Sequence, residues 1–109
     1  MKLATAIIGQ YAPALQSSYA SGDANVVYGL GAAWTFVQAL KRAGKTPTRA
    51  SLMAALKSLN MNDPFAYPGI RIQTSPTDNF PIEQEILIKW SGGAKGDWTP
   101  FGELYSGVR

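Results

Sequence analysis

Residues 68–102 read PGIRIQTSPTDNFPIEQEILIKWSGGAKGDWTPFG, and this stretch decides the fold that we predict. Apolar and polar residues alternate over residues 69–74 and again over residues 82–90, which is the pattern of half-buried β-strands. A glycine-rich loop at residues 91–97 follows, and residues 98–101 can return beside the second strand as a hairpin. The stretch therefore predicts two or three short strands, the last at an edge because its proline lacks an N–H.

The preceding half of the chain follows a helical pattern instead. Asp23 is a good N-cap, apolar residues then recur at spacings of three and four, and Gly44 suits the end of a helix. We expect a long helix over residues 24–43 that is buried on more than one side. The other elements predicted here are helices over residues 11–20 and 49–59 and a loop over residues 60–68.

The order of the predicted elements bounds the fold class. About three helices come first and the strands follow, whereas a self-contained parallel α/β domain alternates them. We therefore predict an α+β chain or a fragment of a larger sheet.

The composition excludes several classes of function. The chain has 109 residues, enough for one compact domain, and it contains no cysteine or histidine. Disulfide frameworks, the usual zinc sites and the Ser-His or Cys-His pairs of nucleophilic enzymes are thereby removed. We expect no enzyme, no metal site and no cofactor.

Charge and hydropathy exclude further partners. The net charge of +3 arises from ten basic and seven acidic residues dispersed along the chain. A nucleic-acid interface needs basic residues clustered on one face, so no nucleic-acid partner is expected. No stretch has the roughly 20 apolar residues that a membrane-spanning helix requires.

The amino terminus has some features of a secretory signal. Lys2 precedes a short apolar run at residues 3–8, which Gln10 and Tyr11 interrupt. The run is at the lower limit for a signal peptide and no small-residue cleavage site follows. A short buried strand or the start of a helix is the favoured alternative.

A series of segments resembles the carboxyl-terminal part of type I periplasmic solute-binding proteins, the branched-chain amino acid and aromatic-acid receptors of ABC transporters. The segments are NVVYGLGAAW at 25–34, ALKRAG at 39–44, TRASLM at 48–53, PGIRIQTSPTD at 68–78, PIEQ at 81–84 and WTPFG at 98–102. Each is weak alone, and their unbroken order makes the series more specific.

The resemblance implies a two-lobed α/β fold of which this chain is an incomplete part. Residues 1–67 would belong to the first lobe, residues 68–80 would cross the hinge, and residues 81–109 would edge the sheet of the second lobe. The complete protein would bind a small amino or carboxylic acid between its lobes, in the periplasm, and deliver it to an ABC transporter permease. Family members are several times longer, and they bind the ligand mostly with loops that this chain lacks.

Two residues are candidate ligand contacts. The Tyr28 hydroxyl near the start of the long helix can face a cleft, although ordinary helix packing is the competing interpretation. Asp78 can line the hinge or contact a ligand amine, although an Asp after Ser-Pro-Thr is typical of a turn. Glu83 and Glu85 share one strand face and resemble a glycosidase pair, but we expect a solvated edge.

The tryptophans and the glycines of the long helix support predictions about packing. Trp34, Trp90 and Trp98 can stack on a ligand, but we expect them in the core. Gly29 and Gly31 lie inside the long helix, where glycine costs about 1 kcal/mol relative to alanine. Close packing against a neighbouring backbone is expected to compensate.

Three functions remain open. The first is a fragment or truncated form of a solute-binding protein, not competent to bind alone. The second is a small structural or interaction module that self-associates. The third, a weak binder of nucleic acid, is disfavoured by the dispersed charge. In either of the first two cases exposed strand edges predict a homodimer or higher oligomer.

Overall fold

The computed structural model describes residues 2–107 and has an α+β architecture. Its helices come first and its strands follow, as predicted. In chain order the elements are α1 (Lys2–Tyr11), a 3-10 turn (Pro13–Leu15), α2 (Gln16–Ala20), α3 (Ala24–Ala43), α4 (Arg49–Leu56), β1 (Asn60–Asn62), β2 (Arg71–Gln73), β3 (Gln84–Trp90) and β4 (Trp98–Ser106).

The amino-terminal region is helical. The start of a helix, one of the two alternatives to a signal peptide, is observed as α1. The prediction of a single helix over residues 11–20 was wrong. Helix α1 ends at Tyr11, and Pro13 begins a separate 3-10 turn that precedes α2. Proline has no N–H to continue the hydrogen-bond ladder, and its ring is tolerated only in a first turn.

Helix α3 has the predicted bounds because local signals fix both of its ends. The Asp23 carboxylate accepts a hydrogen bond from the Asn25 N–H at 2.9 Å, and Gly44 ends the helix with φ 97°. The prediction of burial on more than one side was wrong. Ala39 is fully buried, whereas Phe36 and Val37 are exposed. One face of the long helix is thus covered, and another faces solvent.

Helix α4 begins with a capping box. The Ser51 N–H donates to Thr48 Oγ1 and the Thr48 N–H donates to Ser51 Oγ, which satisfies two backbone donors reciprocally. The helix ends at Leu56, short of the predicted residue 59. The Thr74 hydroxyl takes over there, donating to the Leu56 carbonyl at 2.6 Å and accepting from the Leu59 N–H at 2.9 Å.

The largest apolar core lies between α3, α4 and the first sheet. Its buried members are Ala39, Ala55, Leu59 and Ile72. Half-buried apolar side chains surround it, namely Ala43, Leu52, Leu56 and Met61. Small residues on the facing helices allow α3 and α4 to pack closely, but the core holds few large side chains.

The strands form two separate antiparallel sheets of two strands each among the described residues. In the first, β1 pairs with β2 and Met61 lies opposite Ile72. The predicted loop over residues 60–68 was therefore wrong at its start. Asn60 and Asn62 have poor strand propensity, and it is pairing with β2 that holds them extended.

The second sheet is the predicted hairpin. Leu87 lies opposite Phe101, and Trp90 opposite Trp98. Strand β4 runs past the predicted end at residue 101 to Ser106. Gly102, with φ 76°, lies at the bulge where the register of the two strands shifts. The sequence pattern predicts a strand end at this glycine, but strand β4 continues beyond it.

The molecule is flat and open. Its extents are 52 × 39 × 17 Å and its radius of gyration is 16.5 Å, compared with about 13 Å for a compact chain of this length. Its accessible surface is 8062 Å², whereas a compact monomer of this mass exposes about 5,900 Å². The fold leaves uncovered much of the surface that a compact domain would bury.

Candidate functional site

The candidate site is a groove where β2 meets the open end of the β3–β4 hairpin. Two adjoining cavities form it, with volumes of about 280 Å³ and about 620 Å³. Both are lined by Glu83, Gln84, Ser106 and Gly107. The smaller cavity adds Arg71 and Gln73, and the larger adds Phe80, Ile82, Glu85 and Tyr105. We call the two together the β2–hairpin groove.

Hydrogen bonds hold the walls of this groove together. The Arg71 N–H donates to Gln84 Oε1 at 2.8 Å, which ties β2 to the start of β3. The Gly107 N–H donates to the Glu83 carbonyl at 2.7 Å and closes the end of the hairpin. The Gln73 N–H donates to the Pro81 carbonyl at 2.9 Å. The backbone around the groove is therefore fixed by elements that are distant in sequence.

The groove carries both signs of charge. The Arg71 guanidinium donates to Asn60 Oδ1 at 2.6 Å and to Asn62 Oδ1 at 3.2 Å, which orients it across β1. Both of these partners are neutral amide oxygens. The half-buried Glu83 lines both cavities, and the exposed Glu85 lines the larger one.

The charged side chains that line the groove indicate what it can hold. Arginine can hold a carboxylate group, so a solute with a carboxylate matches the exposed Arg71 of this groove. The sequence contains neither histidine nor cysteine to act as base or nucleophile. Among residues 2–107 no cluster of Asp and Glu has the arrangement of a metal site.

Neither candidate ligand contact lines the groove. Tyr28 lies on α3 with 77% of its side chain exposed. Asp78 lies in the turn after β2, where its carboxylate accepts from the Phe80 N–H at 3.0 Å and its own N–H donates to Ser75 Oγ at 3.1 Å. Asp78 thus forms the turn that its neighbours indicate, and the structure does not bring Tyr28 or Asp78 into either cavity.

The outcome for the glutamates and tryptophans is mixed. The prediction of a solvated edge holds for Glu85, which is exposed. It fails for Glu83, which is half-buried and lines both cavities. Trp34 is half-buried and meets the Phe65 ring edge-on at 6.2 Å. The core prediction was wrong for Trp90 and Trp98, which are 45% and 59% exposed and pack on each other at 5.3 Å.

Sequence reasoning missed Arg71, Gln84 and Ser106 as groove residues. Arg71 reads as the polar position of an alternating strand, and Ser106 lies beyond the predicted end of the hairpin. Only the pairing of β3 with β4 and the contact with β2 bring them together. The one signal in the sequence was the pair Glu83 and Glu85. These residues lie at the start of β3, which lines the groove, but they were considered as a glycosidase pair.

Two further findings bear on what the chain can do. No helix within residues 2–107 is long and apolar enough to cross a membrane. Comparison with protein-family models, curated proteins and solved structures gave no match.

Proposed function

We propose that the chain is the carboxyl-terminal portion of a type I periplasmic solute-binding protein, a receptor of ABC transporters for branched-chain amino acids or related small amino and carboxylic acids. The ordered series of resembling segments supports this, as does the succession of helices followed by strands. In this account residues 1–67 belong to one lobe, residues 68–80 cross the hinge and residues 81–109 edge the sheet of the other lobe.

The observation that carries the proposal is the exposure of the β3–β4 hairpin. Leu87, Ile88 and Phe101 are all exposed, although they are apolar. Neither strand pairs with a further strand among the described residues. An isolated two-stranded hairpin is marginally stable in water, and an open apolar edge invites another strand. Such a hairpin is suited to complete a larger sheet, as the second lobe of a solute-binding protein would provide.

The β2–hairpin groove fits this account as part of a binding surface. It is lined by the exposed Arg71 and the half-buried Glu83. The complete protein would close two lobes over its solute and present it to the permease, in the periplasm. Losing one wall of such a site costs about 4 kcal/mol, the difference between micromolar and millimolar affinity. This chain alone is therefore not expected to bind its solute well.

Complementation tests the proposal. The chain is mixed with a type I solute-binding protein from which the corresponding carboxyl-terminal segment has been deleted, and the masses are measured by light scattering. We expect a one-to-one complex, because the deleted protein lacks the strands that the hairpin supplies. The undeleted protein is the control and should form no complex. A truncated receptor that ignores the chain at every concentration contradicts the proposal.

The alternative is a small interaction module that self-associates through its strand edges. The same unpaired edges of β3 and β4 favour it. The variant Ile88→Lys distinguishes the two functions when its self-association and its binding to the truncated receptor are both measured. If the variant loses self-association and neither the original chain nor the variant binds the truncated receptor, the interaction module is favoured. If the original chain binds the truncated receptor and the substitution weakens that complex, the solute-binding fragment is favoured.

A further inference from the structure

The outward side of the first sheet is polar. In this sheet Asn60 lies opposite Gln73, and Asn62 lies opposite Arg71. Residues directly opposite each other project from the same side of a sheet, and the pair between them projects from the other side. That intervening pair packs in the core, whereas all four polar residues are exposed. The sheet therefore covers the core with one side and presents four polar side chains to solvent with the other.

The Arg71 guanidinium is held between two asparagines on this polar side. Its Nη2 donates to Asn60 Oδ1 at 2.6 Å, and its Nη1 donates to Asn62 Oδ1 at 3.2 Å. Each terminal nitrogen is thus bonded to a different side chain of β1, which fixes the plane of the guanidinium at two points. A side chain that is already ordered loses little further freedom when it binds a ligand.

These hydrogen bonds also orient the two amides. An asparagine whose oxygen accepts from a guanidinium turns its NH2 group away from it, because an NH2 group can only donate and would face another donor. The guanidinium has about five N–H donors, and two of them serve the asparagines. Asn60, Asn62 and Arg71 therefore present N–H groups and a positive charge outward, while the amide oxygens face inward.

The positions of nearby carboxylates bear on how strongly an anion can bind. Asp63 follows Asn62 in the chain, but it is buried on the side of α3, where its Oδ2 lies 2.6 Å from the position of a Cβ at Gly31. Glu83 lines the smaller cavity of the groove together with Arg71, and its carboxylate disfavours an anion there. We therefore expect millimolar rather than micromolar affinity for a simple anion.

We propose that Arg71, Asn60 and Asn62 form an oxyanion site that holds a carboxylate or a phosphate group. Paired N–H donors of an arginine match two oxygens of such a group, and the NH2 groups of the asparagines add donors beside them. The inference rests on the proposed function for the identity of the ligand, since a receptor for amino or carboxylic acids has to hold the carboxylate of its solute. The site itself is formed by this chain alone.

Titration of the full, nitrogen-labelled chain with sodium acetate and separately with sodium phosphate tests the site by NMR. We expect saturable shifts of the Arg71 Nε–H signal and of the Asn60 and Asn62 NH2 signals. Sodium chloride at the same ionic strength is the control for screening and should give no saturable shift. Saturation by acetate assigns the site to a carboxylate, and saturation by phosphate alone assigns it to a phosphate. Saturation by neither anion overturns the proposal.

The variant Asn60→Asp tests the site while keeping its scaffold. The introduced carboxylate has the shape of the amide and keeps the contact with Arg71, but it takes the place of the bound anion. We expect the affinity for acetate or phosphate to fall by roughly tenfold or more. Asn25→Asp, at an exposed asparagine of α3, changes the net charge equally and is the matched control. An Asn60→Asp variant that binds like this control contradicts the proposal.

The variant Arg71→Gln removes the charge and should abolish the saturable shifts of the asparagine signals. Arg49→Gln, at an exposed arginine of α4, is its matched control. Because Arg71 also holds β1 in place, Asn60→Asp decides the matter if Arg71→Gln does not fold. The two proposals can fail separately: anion binding by a chain that joins no truncated receptor supports the site and contradicts the receptor function. A chain that joins the receptor and binds neither anion contradicts the site.

Discussion

Gly31 shows how a single residue joins the helical half to the loop before β2. Its missing Cβ leaves room for the Asp63 carboxylate, which is buried and accepts from the Phe65 N–H at 2.8 Å. We expect Gly31→Ala to lower the free energy of unfolding by about 1–3 kcal/mol, since the carboxylate must move and strain that hydrogen bond. Urea denaturation measures the change.

Gly29→Ala is the matched control for that substitution. Both glycines lie inside α3, but the position at residue 29 has open space around it. At protein concentrations low enough for a single chain, alanine there should raise stability by up to about 1 kcal/mol through helix propensity alone. Equal effects of the two substitutions would contradict the role assigned to Asp63.

Thr74 is the residue that links the end of α4 to the end of β2. Its hydroxyl both donates to Leu56 and accepts from Leu59, so Thr74→Val keeps the shape and removes two hydrogen bonds. We expect a loss of about 2 kcal/mol, as partly buried backbone groups lose their partner. Thr74→Ser should retain most of the stability in thermal or urea unfolding. A serine variant as unstable as the valine variant would show that the methyl group matters instead.

Residue roles were only partly predictable from sequence. Asp78 could be recognised as a turn former because its partners are two and three residues away. Arg71 could not be recognised as a groove residue, because its neighbours come from β1 and β3. The two glycines of α3 look alike in sequence, and only the position of Asp63 distinguishes them.

At the scale of an element, α4 depends on its amino-terminal cap. Removing the Thr48 hydroxyl leaves the Ser51 N–H without its side-chain acceptor. We expect Thr48→Ala to cost about 1 kcal/mol of stability. Thr46→Ala, an exposed threonine outside the helix, is the control and should change little. Indistinguishable melting curves for the two variants would remove the cap from the account of α4.

Elements with local signals were predictable and elements defined by pairing were not. A cap and a terminal glycine fix α3, so its bounds follow from sequence. Strand β1 has no strand pattern of its own and exists opposite β2. The hairpin could be foreseen, but Gly102 concealed its length because a bulge and a strand end both favour glycine.

At the scale of the whole molecule, pattern identifies which residues are apolar but not what covers them. Trp90, Trp98 and Phe36 belong to residue types that are usually buried, yet they are exposed. A sequence-based prediction assigns such residues to a core because most apolar stripes are covered within one domain. Here the chain is too flat to cover them.

The most direct test of the proposed function is a calorimetric titration of leucine into the chain mixed with the carboxyl-truncated receptor. We expect micromolar binding by the mixture and none in that range by either component alone, since each lacks part of the closed site. Ile88→Lys in the chain should abolish the gain, because a charge on the hairpin opposes its insertion into the receptor's sheet. Micromolar binding by the chain alone, or a mixture that binds no better than its components, would contradict the account.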